Sequence, residues 1–194
     1  MAILRSLCVY CGSRPGDDPV YAAEARRLGA LMAARDIALV YGGGGIGLMG
    51  VVADAVMNGG GKVVGIIPDF LRRAEAGHDN LTELIVVDNM HERKMAMFER
   101  ADAFAVLPGG VGTLEELFEI LSWRTLALHD KPIVVIDVNG FWTPLHDLME
   151  RTIARGFVSP PVRDYMRFAP DAESALATLE AMPTATSRKP LDKA

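Results

Sequence analysis

Short apolar runs rich in Val, Ile and Ala alternate along this chain with longer stretches of helical periodicity, and that alternation narrows the fold class more than any other feature. The apolar runs lie at residues 6–10, 37–41, 62–67, 84–87, 103–107 and 132–138. Helical spacing predicts helices ending at Ala34 and covering 48–58, 90–100, 114–128, 144–155 and 171–181. Strands that alternate with helices build a mostly parallel sheet covered on both faces. The expectation is an α/β, Rossmann-like, doubly wound sheet. Residues 1–182 form a single nucleotide-binding domain in this reading, and 183–194 a polar tail. A polar stretch, 69–81, breaks the rhythm and is expected to be a loop over the site.

Composition removes several function classes. The net charge of −5 offers no overall attraction to nucleic acid or an anionic membrane. No apolar run approaches the ~20 residues that span a bilayer, and the first residues lack a signal-peptide pattern. A cytoplasmic protein without nucleic-acid or membrane partners is expected. Cys8 and Cys11 have the CxxC spacing, but residues three apart on a strand point to opposite faces. A second cysteine pair for zinc is absent from the sequence. Two packed thiols, and no metal, follow.

Three loops stand at strand ends, where ligands bind in such sheets. One is Cys11-Gly12-Ser13. Another, Gly42-Gly43-Gly44-Gly45-Ile46-Gly47, fits G-x-G-x-x-G between a strand and a helix. Glycines let N–H groups approach a phosphate, and the helix N-terminus adds positive potential. NAD would also need an acid at the end of the next strand, but Ile66-Ile67-Pro68 stands there. Close strand–helix packing explains the same glycines. Gly12, Ser13, Gly43 and Gly44 are the phosphate-loop candidates.

The third loop, Pro108-Gly109-Gly110-Val111-Gly112-Thr113-Leu114-Glu115-Glu116, opens a second helix. Thr113 and Glu116 fit a capping box, worth about 1 kcal/mol, which would account for both without chemistry. The helix wheel argues otherwise. Leu114, Leu117, Phe118, Leu121, Thr125 and Leu128 form one stripe, and Glu116, Ile120, Trp123 and Ala127 another. A helix apolar on two sides is buried on two sides. Glu116 then lies at the edge of a covered surface, where an acid–base group is useful. The second stripe also predicts a homodimer.

Upstream, Lys94 falls inside the apolar arc of its helix and Arg93 on its margin. Cations there must snorkel, pair or bind an anion. His91-Glu92 begins like a zinc H-E-x-x-H, but Met95 replaces the second histidine.

Met90-His91-Glu92-Arg93-Lys94 followed by Pro108-Gly109-Gly110-Val111-Gly112-Thr113-Leu114-Glu115-Glu116 resembles the LOG ("lonely guy") family, with its Arg-Lys pair and P-G-G-x-G-T-x-x-E signature. The likeness runs from Cys8 through Val158. Members are cytokinin riboside 5′-monophosphate phosphoribohydrolases, and relatives were long labelled lysine decarboxylases. The resemblance implies hydrolysis of the base–ribose bond of a purine nucleoside 5′-monophosphate. It implies Glu116 and Arg93 as the catalytic pair. Glu75, Lys94, Gly110, Val111, Gly112, Thr113, Leu114, Glu115 and Ser122 would contact the substrate, Ser122 standing where plant members carry Thr. No cofactor is implied, and no setting for a Schiff-base lysine supports the decarboxylase label. A non-catalytic nucleotide carrier or sensor is the alternative on the same fold, and an NAD-dependent oxidoreductase a third.

Overall fold

The apolar runs fold into one sheet of seven parallel strands in the computed structural model, which describes residues 4–74, 77–78 and 81–182. The strands are β1 (Ser6–Tyr10), β2 (Ala38–Tyr41), β3 (Val63–Pro68), β4 (Glu83–Val87), β5 (Ala103–Val106), β6 (Ile133–Ile136) and β7 (Met166–Ala169). The helices are α1 (Pro19–Ala34), α2 (Gly47–Asn58), α3 (Asp69–Ala74), α4 (Met90–Arg100), α5 (Val111–Thr125), α6 (Thr143–Ala154) and α7 (Ala172–Ala181). Strand order is β4-β3-β2-β1-β5-β6-β7. The chain therefore leaves β1 in one direction, reaches the edge at β4, and returns to the other side of β1. The crevice where the order reverses, beyond the carboxyl ends of β1 and β5, is where ligands bind in such sheets.

Alternation along β1 builds two cores. Leu7, Val9 and Cys11 join the cluster under α1, α2 and α7. Cys8 and Tyr10 join the one under α4, α5 and α6. Full burial of side chains such as Leu7 and Phe104 contributes about 1.5–3 kcal/mol each. Both cysteines are buried thiols. No described helix is long and apolar enough to cross a membrane.

Four details differ from the sequence reading. The polar stretch after β3 is not all loop, because Asp69–Ala74 forms α3. β7 has only four residues, with Arg167 exposed between buried Met166 and half-buried Phe168, too short for its alternation to register. α5 begins at Val111 and ends at Thr125, so its N-cap is Gly110. Thr113 therefore lies inside the helix, and the Thr113–Glu116 capping box does not form. A related cap exists at α4 instead: Glu92 N donates to Asn89 Oδ1 at 3.0 Å, and Asp88 N, one residue before the cap, donates to Glu92 Oε2 at 3.1 Å. Glu92 is thus a cap residue, and Glu116 is not.

Two predictions follow from these contacts. Gly47 has φ +61, and a Cβ there would collide with the carbonyl group of Ser13, because Leu48 N donates to Gly12 O at 3.0 Å and presses α2 onto that loop. Gly60 has φ +78 but nothing within 4 Å. Gly60→Ala should cost about 1 kcal/mol of left-handed strain, and Gly47→Ala clearly more, by urea unfolding. Equal costs would mean that the α2 contact does not require Gly47.

His129 folds back onto α5. Its Nε2 donates to Ile120 O at 2.8 Å, and its Nδ1 accepts from Lys131 N at 3.1 Å, a pattern only the neutral ring can make. Burial is the main cause that lowers its pKa from 6.5 to about 4. The unfolded chain takes up the proton first, so this group destabilises the fold as pH falls from about 6.5 to about 4. His129→Gln should flatten the fall in unfolding free energy between pH 7 and pH 4.5; an unchanged slope would contradict the assignment.

Candidate active site

Two backbone hydrogen bonds tie the loops after β1 and β5 together: Leu107 N donates to Tyr10 O at 2.9 Å, and Gly12 N to Pro108 O at 3.0 Å. Above them opens a cavity of about 670 Å³. Its walls are the loop containing Gly12, Ser13 and Arg14, the start of α2 with Leu48 and Met49, Leu71 of α3, Met90 and Arg93 of α4, and the β5–α5 segment from Pro108 to Glu116 without Leu114. Tyr21 and Phe141, an edge-on aromatic pair 5.6 Å apart, close one end.

The β5–α5 loop meets the cavity with its backbone. The N-cap Gly110 has no side chain to accept from the first-turn N–H groups of α5, so these remain available to an anion. A Cβ at Gly110 or Gly112 would meet nothing within 4 Å. Protein packing does not demand glycine at either position, whereas close approach of a ligand would. Thr113 is buried and fills the space beside Gly109, which stiffens the loop.

Glu116 follows on the same helix, in the cavity wall and half-buried. Behind it stand Cys8 and Tyr10, hydrogen-bonded to each other. Burial pushes both the thiol and the phenol well above their ordinary pKa values, and the nearby Glu116 carboxylate adds to the rise. Burial thus keeps the thiol and the phenol beside Glu116 in their neutral forms.

Arg93 is 4% exposed. Its Nη2 donates to Gly42 O at 2.8 Å and its Nε to Ile66 O at 3.2 Å. Gly42 directly follows β2 and Ile66 lies within β3, and a Cβ on Gly42 would overlap the guanidinium. The glycine loop after β2 thus cradles an arginine.

Lys94 is paired with acids of α5. Its Nζ donates to Glu115 Oε1 at 2.6 Å and to Glu119 Oε1 at 2.9 Å, and the residue is not part of the cavity wall. Burial opposes its charge, but the two carboxylates outweigh that and raise its pKa. It neutralises Glu115 and Glu119 of α5.

Other expected residues divide similarly. Gly12, Ser13, Gly110, Val111, Gly112, Thr113 and Glu115 line the cavity. Gly43 and Gly44 do not: Gly43 O accepts from His78 N at 3.1 Å, and Gly44 bridges Gly77. Leu114 packs against the core beneath α5. Ser122 is exposed and outside the cavity. Glu75 lies outside the described residues. Sequence reasoning missed Arg14, which directly follows a loop it singled out, and Tyr21 and Phe141, whose contribution needs the tertiary fold. Among the described residues no cluster of three or more His, Cys, Asp or Glu could hold a metal ion.

Comparison with known proteins places this arrangement. The family model described as "Possible lysine decarboxylase" matches residues 49–179. The cytokinin riboside 5′-monophosphate phosphoribohydrolase LOG1 of Arabidopsis thaliana is 42% identical over 176 residues, covering 91% of this chain and 83% of its own. The cytokinin riboside 5′-monophosphate phosphoribohydrolase of Rhodococcoides fascians is 44% identical over 176 residues, covering 90% and 89%. Among solved structures, the Moco carrier protein of Chlamydomonas reinhardtii matches with a TM-score of 0.68 at 18% identity, over 91% of this chain and 95% of its own. That likeness is one of fold alone. By its sequence, this chain belongs to the cytokinin riboside 5′-monophosphate phosphoribohydrolase, or LOG, family.

Proposed function

We propose that this protein hydrolyses the N-glycosidic bond of adenosine 5′-monophosphate or its N6-prenylated form, giving the free base and ribose 5-phosphate. One observation carries the reading: Glu116 lines the cavity on the same helix whose uncapped N-terminus opens into it. From the first-turn N–H groups to Glu116 the axial rise is about 4.5–7.5 Å, the scale of a ribose carrying its 5′-phosphate. The relatives named above act on nucleotides of this kind.

The phosphate rests on the N–H groups following Gly110, and the purine lies toward the aliphatic wall of Leu48, Met49, Leu71 and Met90. Breaking the glycosidic bond sends its electron pair to the base and leaves positive charge on the ribose. The Glu116 carboxylate stabilises that charge and takes a proton from the attacking water, whose oxygen bonds to the anomeric carbon. The departing base leaves with that proton. Arg93, fixed by two carbonyls, is a rigid donor for substrate oxygens. Holding the phosphate orients the sugar against Glu116. Lys94 serves the site by keeping Glu115 and Glu119 paired.

A carrier would use the same cavity and loop but not the Glu116 carboxylate. Glu116→Gln should keep a near-parent melting temperature and AMP binding while turnover drops by ~10²-fold or more. The assay is chromatographic release of adenine or N6-isopentenyladenine from the monophosphates. Turnover close to the parent rate would end the catalytic assignment and favour the carrier. Arg93→Ala should lose both activity and stability, since its guanidinium fills the space over Gly42.

The proposed assembly is a homodimer, through a different face from the one the helix wheel suggests. Ile120 is buried and Trp123 packs edge-on against Phe98 at 5.2 Å, so the middle of that stripe is covered within the chain. The exposed apolar residues of α5 and its end are Val111, Phe118 and Leu126, with Ser122 among them at helical spacing. Pairing of two copies would bury this stripe. Light scattering at micromolar concentration should give a dimer mass, reduced by Phe118→Glu combined with Leu126→Glu. A monomeric parent protein would refute it.

A further inference from the structure

The cations near the cavity are committed to different degrees. Arg93 is buried with its guanidinium on two carbonyls. Lys94 is held by two carboxylates and lies outside the wall. Arg14 lines the cavity, is exposed, and has no hydrogen bond or ion pair among the described residues. Its main chain is nevertheless tightly placed. The position of a Cβ on Gly12 would be 3.0 Å from Arg14 O and 3.4 Å from Gly109 Cα, so the Arg14 backbone curls back over Gly12, which itself packs on the β5–α5 loop. Ser13 and Arg14 also sit on the start of α2 at Gly47. A fixed root with a free guanidinium is thereby set beside the uncapped N-terminus of α5.

Charge in the cavity makes this placement consequential. Its lining holds Asp17, Glu115 and Glu116 against Arg14 and Arg93. A phosphate dianion entering there meets more acids than bases, and Arg14 is the cation with a head still available to it. We propose that Arg14 is the phosphate-binding cation of this site, closing over the 5′-phosphate opposite the N–H groups of α5. This rests on the nucleotide reading of the cavity. Arg14 acts on binding and orientation, while the chemistry stays with Glu116. Its planar fork can take two phosphate oxygens at once.

The test uses two readouts on the full chain, one independent of turnover. Calorimetry measures ribose 5-phosphate binding to the parent protein, Arg14→Gln and Arg14→Lys, and steady-state kinetics follows AMP. Losing a charge-assisted bond to the phosphate should weaken ribose 5-phosphate binding about tenfold or more in Arg14→Gln. KM for AMP should rise in parallel, with kcat changed far less, and Arg14→Lys should recover part of the loss. Unchanged affinity for ribose 5-phosphate in Arg14→Gln overturns the proposal. A parent protein that binds ribose 5-phosphate but releases no base from AMP defeats the hydrolase reading instead, and calorimetry still decides the role of Arg14. A parent protein that does not bind ribose 5-phosphate overturns the phosphate site itself.

Discussion

Pairing of β5 with β1 is the contact on which the site depends. These strands are far apart in sequence, and the chain completes β2, β3 and β4 before it returns. Their parallel register, Leu7 with Ala103 through Tyr10 with Val106, brings the loop after Tyr10 beside the loop after Val106. Two hydrogen bonds then lock the loops together. The cavity, the open end of α5 and the placement of Arg14 all follow from that junction.

Adjacent cations on α4 show how one helix serves two purposes. Successive residues on a helix point about 100° apart, so Arg93 and Lys94 address different surroundings. Buried charge is costly unless each donor finds an acceptor. Arg93 finds the carbonyls of Gly42, just after β2, and of Ile66 in β3, and Lys94 finds Glu115 and Glu119 on α5. The pair therefore ties α4 both to the sheet and to the helix bearing Glu116. The surroundings of Glu116 then come from three elements, with Tyr10 and Cys8 of β1 behind it.

Two glycine loops of similar composition have different uses. In the loop after β2 the absent Cβ atoms make room for protein: the Arg93 guanidinium at Gly42 and the Ser13 backbone at Gly47. In the loop after β5, Gly110 and Gly112 border open space. A glycine that clears room for its own chain is structural, and one that borders open space at the cavity wall without needing a positive φ is available to a ligand. The G-x-G-x-x-G pattern alone cannot separate these cases, because both need the same residue.

The sequence by itself determined the α/β class, six of the seven strands and the segments that carry the site. Strand and helix periodicities are local, and Gly110, Glu116 and Arg93 sit in motifs whose residue types are chemically distinctive. β7 escaped because four residues make too short a pattern. The helix start at Val111 was misplaced because Thr113 and Glu116 have capping-box spacing, although Gly110 is the true cap. Only the tertiary structure decided what each cation touches. Lys94 and Arg14 are alike in charge, yet one is enclosed by acids of α5 and the other is free at the cavity wall. That difference comes from packing between elements distant in the chain, and no spacing rule along one helix or loop contains it.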